Sequence, residues 1–221
     1  MTRFTNPWLD VDLSDYEGHM ATPEVRQSVL LADEFNRAIE SVKPQAVGLM
    51  GCAGGNGLDA LVGADVAHVI CVDINSNYLA SLSDRYKDKI RGLETIFGEV
   101  EKFTFRKPLD LIFGGLIFEY TRLEEALTAL SSSLRPGGVL VALIQMKSSG
   151  ITTVSSSPYA KALTEVGAAF NYIDPDRMSE IAAVHGLNEV MRRVETLSSG
   201  KSFTILEYRK IEKGRAQQAS C

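Results

Sequence analysis

The stretch Ala46-Val47-Gly48-Leu49-Met50-Gly51-Cys52-Ala53-Gly54-Gly55-Asn56-Gly57 decides how the chain is read. An apolar run ends at Gly51, four glycines fall between positions 51 and 57, and a helical pattern follows from about Leu58. That order predicts a buried parallel strand turning through a loop where something approaches the backbone closely. Glycine serves there because a Cβ would obstruct the approach or because φ must be positive. Amides opening the next helix would then point at the bound group. Val69-Ile70-Cys71-Val72 reads as a second buried strand, with Asp73 at its tip. A carboxylate about 20 residues past the loop is placed to accept both hydroxyls of a ribose. Loop and acid together predict an adenosine-containing cofactor.

Working outward, strands alternate with helices. Thr22-Pro23-Glu24 carries the signals of a helix start: a capping hydroxyl, proline at the first position and an acid in the first turn. Apolar residues continue at helical spacing to Val42, and Lys43-Pro44 stops the run. Strands are expected at 46–50, 68–73, 93–98, 109–114 and 139–145, and helices from 58, over 77–89 and over 122–134. Residues 1–21 show no clear period. Residues 147–175 are rich in Ser, Thr and Pro. A helix over 176–184 and two strands, 189–197 and 203–209, close the chain, joined by the turn Ser198-Ser199-Gly200-Lys201. The fold class is α/β: a Rossmann-like, doubly wound sheet of seven mostly parallel strands with an antiparallel terminal hairpin strand. Residues 1–211 form one domain, 1–21 a lid, 147–175 a substrate-side insertion, and 212–221 a disordered tail.

Composition narrows the function. The 221 residues carry a net charge of −5, and no face reads as a basic stripe, so nucleic acid is not the expected partner. The longest apolar run, 139–144, is too short for a bilayer. Residues 1–7 lack the apolar core of a signal peptide, and three cysteines without a spacing pattern suit a reducing, cytoplasmic setting. They also exclude a cysteine-based zinc site, and no metal is expected. Cys52 reads as a small space-filling side chain, and Asp110, His68 and His185 as structural.

The order of motifs resembles the class I S-adenosylmethionine-dependent methyltransferases over roughly residues 23–210. The resemblance rests on loop 51–57, Asp73, Glu99-Val100-Glu101 after strand three, Leu109-Asp110-Leu111-Ile112-Phe113-Gly114 as strand four, and Leu134-Arg135-Pro136-Gly137-Gly138 before strand five. More narrowly, the lead-in Asp15-Tyr16-Glu17-Gly18-His19-Met20 is similar to that of a bacterial small-molecule branch. The resemblance implies that Gly51, Cys52, Ala53, Gly54, Gly55, Asn56 and Gly57 hold the methionine part and the adenosine of S-adenosylmethionine. It assigns the ribose to Asp73, the adenine face to Ile74, and the adenine edge to Glu99 and Val100. Gly114, Gly115 and Leu116 would lie beside the transferable methyl. Two positions depart from the family pattern: Leu49 stands where an acid is usual, and Ala53 where glycine is.

Methyl transfer from a sulfonium needs mainly alignment and exclusion of water, so no catalytic triad is required; positioning alone can supply on the order of 7–11 kcal/mol. A base is needed only where the acceptor loses a proton. Tyr16, His19, Glu119 and Tyr120 are the candidates for base or acceptor orientation, with Tyr16 also suited to face the sulfonium. The expected function is a cytoplasmic methyltransferase acting on a small-molecule acceptor by in-line displacement. Whether the chain forms a homodimer is left open by the residues. One alternative is a domain that binds S-adenosylmethionine without turnover, which Leu49 and Ala53 keep alive. Another is an NAD-dependent oxidoreductase, whose G-x-G-x-x-G reading Gly51-Cys52-Ala53 breaks at the second glycine.

Overall fold

The computed structural model describes residues 6–212 except 106, 149 and 151. Seven strands form a single sheet: β1 (Ala46–Met50), β2 (His68–Asp73), β3 (Leu93–Phe97), β4 (Leu109–Gly115), β5 (Leu134–Gln145), β6 (Leu187–Thr196) and β7 (Ser202–Lys210). Their order is β3-β2-β1-β4-β5-β7-β6. β1 to β5 pair in parallel, while β7 enters antiparallel between β5 and β6. The closing hairpin thus places its first strand at the edge and its second inside the sheet.

Successive strand side chains point to opposite faces, which gives two cores. Val47, Leu49, Val69, Cys71, Leu111 and Phe113 pack on one face with α1 (Leu13–Ala21), α2 (Gln27–Val42) and α3 (Ser76–Tyr86). Met50, Val72, Ile112, Leu140 and Leu206 pack on the other with α4 (Leu123–Ser133) and, beyond α5 (Thr164–Ala168), with α6 (Pro175–Val184). Each fully buried Leu, Val, Met or Phe stabilises the fold by about 1.5–3 kcal/mol. α3 is capped by the Asn75 side chain, which accepts from the Asn77 and Tyr78 amides, and α6 opens on Asp174 and Pro175.

Two sequence expectations change. First, residues 1–21 do hold a helix: α1 buries Tyr16, His19 and Met20 along one stripe. Two of those side chains count as polar, so the stripe does not show as an apolar period. Thr22 therefore ends α1 rather than opening α2; its hydroxyl donates to the His19 carbonyl at 2.8 Å. Residues 22–26 form a turn closed by Arg26 in left-handed backbone, φ 49°, and α2 starts at Gln27. Second, no helix follows the glycine loop. Leu58–Leu61 is a single 3-10 turn, because only Leu58 and Leu61 find burial there and Gly63, φ 76°, turns the chain toward β2. The tail expected from 212 onward lies, after Glu212, outside the described residues, as do residues 1–5 of the expected lid. Among the described residues no helix is long and apolar enough to cross a membrane.

Candidate active site

A cavity of about 490 Å³ lies over the carboxyl ends of the parallel strands, within the size range of small-molecule sites. The topological switch sits between β1 and β4, where this class of sheet opens a crevice. The β1–β3 side of the cavity is lined by Gly51, Ala53, Asp73, Ile74, Glu99 and Val100. On the β4–β5 side Gly115, Leu116, Tyr120 and Gln145 form the wall, and residues of α1 and of the insertion complete the roof.

The glycine loop behaves differently from its sequence reading. Five of its seven amides, those of Gly51, Cys52, Ala53, Gly55 and Asn56, are spent within the protein. Gly51 and Cys52 donate to the Val72 carbonyl at 2.9 and 3.2 Å, and Gly55 and Asn56 donate to the Cys52 carbonyl at 2.9 and 3.2 Å. Of the loop residues, Gly51 and Ala53 reach the cavity, whereas Gly54, Gly55, Asn56 and Gly57 line a second, open hollow of about 540 Å³ behind it. Their missing side chains make room for the protein itself. A Cβ on Gly54 would stand 2.7 Å from Arg85 Nη1, and one on Gly55, φ 108°, 2.6 Å from the Tyr86 ring. Cys52 is fully buried, its thiol pushed up by burial and by Cys71 beside it. Leu49, where the resemblance expects an acid, is a core residue of β1 with a 2% exposed side chain and does not face the cavity. Ala53, where it expects glycine, adopts φ 45°, a left-handed backbone that glycine takes without strain.

Asp73 ties this loop to the second strand. One carboxylate oxygen accepts from the Ala53 amide and the other from the Asn75 amide, both at 2.9 Å. Burial pushes the carboxyl above its ordinary value, while the amides of Asn75, Ala53 and Ile74 pull it back. A carboxylate has roughly four acceptor sites, so Asp73 keeps accepting capacity for a hydroxyl arriving from the cavity.

The roof is aromatic and stitched down at both ends. Trp8 meets Tyr16 and Tyr120 edge-to-face at 5.7 and 5.3 Å, and Tyr120 meets Phe170 at 5.6 Å. Tyr16 Oη accepts from Asn56 Nδ2 at 2.7 Å, and Arg85 pairs with Glu17 while donating to the Gly54 carbonyl at 3.1 Å. At the other end His19 Nδ1 is held by Ser157 Oγ at 2.7 Å. Sequence reasoning had no signal for Phe170, Leu163 or Val166, which come from an insertion without periodicity. It also missed Gln145, the polar last residue of an otherwise apolar strand.

The four acid–base candidates separate clearly. Tyr16, His19 and Tyr120 line the cavity; Glu119 does not. Burial holds the Tyr16 and Tyr120 hydroxyls far above the ordinary phenol range, so neither is a base at neutral pH. His19 is lowered to about 4 by burial and by the Lys201 ammonium, and is a neutral imidazole. Glu119 is wholly buried behind the wall: one oxygen accepts from the Gln145 amide at 2.7 Å, the other has no partner among the described residues, and burial raises the group to about 7. Gly114 also stays behind the wall, where a Cβ would meet the Phe118 ring at 2.9 Å.

Residues 49–142 match the family described as a methyltransferase domain, a span running from the end of β1 through the loop, Asp73 and β4 into β5. That match spans less than half of the chain. The fold is the one seen in solved S-adenosylmethionine-dependent methyltransferases. Among solved structures, the domain resembles N-methyltransferase NodS from Bradyrhizobium japonicum WM9 in complex with S-adenosyl-L-homocysteine, at TM-score 0.66 and 16% identity, covering 94% of this chain and 100% of that one. It resembles magnesium protoporphyrin IX methyltransferase ChlM from Synechocystis PCC 6803 with the same product bound, at TM-score 0.68 and 12% identity, over 89% and 93% of the two chains. The [4+2]-cyclase SpnF matches at TM-score 0.62 and 11% identity, over 84% and 81%. No curated protein matches the chain in sequence. The cavity described above lies at the carboxyl ends of the strands of this shared fold.

Proposed function

We propose that the protein is an S-adenosylmethionine-dependent methyltransferase acting on a small molecule in the cytoplasm, with the cofactor over the ends of β1–β3 and the acceptor over β4–β5. The observation that carries this reading is the cavity itself. It joins a carboxylate with remaining accepting capacity, Asp73, to apolar walls and an aromatic roof in one volume. Asp73 takes the ribose hydroxyls, Ile74 the adenine face, and the 99–100 segment the adenine edge. Gly51 and Ala53 face the remainder of the cofactor, and Gly115 and Leu116 border the reacting centre. The other loop residues, Cys52, Gly54, Gly55, Asn56 and Gly57, hold that surface in shape from behind.

When bound, S-adenosylmethionine supplies a methyl group on a positively charged sulfur. The chain's own part is to enclose and to orient. Trp8, Tyr16 and Tyr120 exclude water and offer ring electrons to a nearby cation, an attraction of about 0.5–2 kcal/mol. His19, neutral and buried, is the one of the four candidates placed to hydrogen-bond an acceptor. Ala53 weighs against NAD, whose G-x-G-x-x-G turn needs glycine at that second place.

Calorimetry with S-adenosylmethionine, S-adenosyl-L-homocysteine and NAD in parallel tests the reading. Binding of the first two and not the third is expected; binding of NAD alone, or of none, overturns it. Tight binding without methyl transfer to any acceptor would instead favour the non-catalytic alternative.

A further inference from the structure

The charges of the cavity wall are distributed unevenly. Its three carboxylates, Asp73, Glu99 and Glu101, stand at the ends of β2 and β3, and Glu101 already accepts from the Arg122 amide at 3.0 Å. Beyond β4 and β5, the lining residues among those described include no Asp, Glu, Lys or Arg. What stands there is Leu163, Val166 and Val154, closed by Tyr120 and Phe170 in edge-to-face contact. Polar groups are few and uncharged. Gln145, 3% exposed, reaches the Thr153 carbonyl with Nε2 at 3.4 Å. His19 is fixed through Nδ1 by Ser157 Oγ, which also accepts from the Tyr159 amide at 3.1 Å. That leaves Nε2 as the imidazole nitrogen for a ligand. Lys201, the nearest cation, is buried and donates to the Thr153 carbonyl at 2.7 Å, outside the cavity lining.

We infer that the acceptor is an uncharged, ring-bearing molecule with a single hydroxyl to hydrogen-bond, the hydroxyl lying at His19 and the ring between Tyr120, Phe170 and the aliphatic wall. The inference rests on the methyltransferase reading and narrows it to a substrate class. Charge placement carries the argument. An ammonium or carboxylate taken into this half would lose its hydration and find no opposite charge in the lining, since Lys201 stands behind it with its ammonium given to the Thr153 carbonyl. Flat rings, by contrast, gain from aromatic walls set edge-on. One ring nitrogen held by the protein and the other left over is an arrangement that orients a hydroxyl and fixes the tautomer presented to it. Neutral His19 suits this role, because an imidazolium would place a charge beside the same apolar wall.

The test uses the full chain saturated with S-adenosyl-L-homocysteine and four one-ring probes of similar shape: para-ethylphenol, tyramine, para-hydroxyphenylacetate and ethylbenzene. Saturation is established first by calorimetry; its failure overturns the methyltransferase reading and leaves the probes unneeded. With the product bound, para-ethylphenol should bind about tenfold or more tightly than tyramine and para-hydroxyphenylacetate, and more tightly than ethylbenzene. A charged probe binding as well as para-ethylphenol overturns the inference, as does no binding by para-ethylphenol. Ethylbenzene matching para-ethylphenol overturns the hydroxyl assignment. In His19→Phe the preference for para-ethylphenol over ethylbenzene should vanish while ethylbenzene still binds; a preserved preference removes His19 from the role.

Discussion

Replacing Asp73 by alanine perturbs two things at once, and the structure says how large each is. In the free protein the carboxylate accepts from the amides of Ala53 and Asn75, both at 2.9 Å. A hydrogen bond to a charged group is worth about 1.5–3 kcal/mol net. Two would give roughly 3–6 kcal/mol, from which relief of the buried charge subtracts, so a loss near 3 kcal/mol is expected. For a domain of this size each kcal/mol moves the melting temperature by about 2–4 °C. Asp73→Ala should therefore melt about 6–12 °C below wild type without any ligand. The second effect falls on the cofactor. Two ribose hydroxyls lost from a carboxylate remove a similar free energy, about a hundredfold in affinity for S-adenosyl-L-homocysteine. Differential scanning fluorimetry reads the first quantity and titration calorimetry the second. A ligand-free variant melting within about 2 °C of wild type would refute the anchoring role. A folded variant with unchanged affinity would refute the ribose assignment.

Glu119 gives a prediction in pH. Its folded value of about 7 lies above the ordinary 4.5, so its protonation favours the fold fully below pH 4.5, and that contribution is lost as pH rises to about 7. At about 1.36 kcal/mol per unit, urea unfolding at pH 5 and pH 8 should show a loss roughly 2–3 kcal/mol larger in wild type than in Glu119→Gln; equal losses would contradict this. Leu49→Ala opens a core cavity and should cost about 2–5 kcal/mol while the folded fraction binds S-adenosyl-L-homocysteine as wild type does; a specific loss of affinity would show that position 49 reaches the ligand after all. Arg85→Met removes a partly exposed ion pair worth at most about 1 kcal/mol, so melting should change little. Dissociation of S-adenosyl-L-homocysteine in stopped-flow should nevertheless accelerate several-fold, and an unchanged rate would mean that α1 does not gate the cavity.

The parts of the fold that announce themselves in the sequence are those whose pattern is local. The apolar runs of β1 and β2, the Pro136-Gly137-Gly138 break and the closing hairpin turn each carry their own chemistry. Asp73 was legible as part of the cavity wall because it ends a buried strand at the carboxyl edge of the sheet, whereas the two amides that it ties down were not. α1 was not legible, since its buried stripe is built from Tyr16, His19 and Met20, and burial of the first two depends on partners 40 and 138 residues away. Loop 51–57 was read as a place where a ligand approaches closely, but the groups approaching Gly54 and Gly55 are the protein's own Glu17, Arg85 and Tyr86. Spacing cannot distinguish a ligand from a neighbouring helix at such a turn. The acceptor half was the least visible, because its wall is assembled from the insertion by tertiary contact alone.

The helix α1 is fastened at both ends, through Asn56 and Arg85 at one and through Ser157 at the other. Its Tyr16 and His19 both line the cavity. Under the proposed function, spent nucleoside and modified product would leave past the same helix, and a molecule spanning both halves of the cavity would touch it along its length.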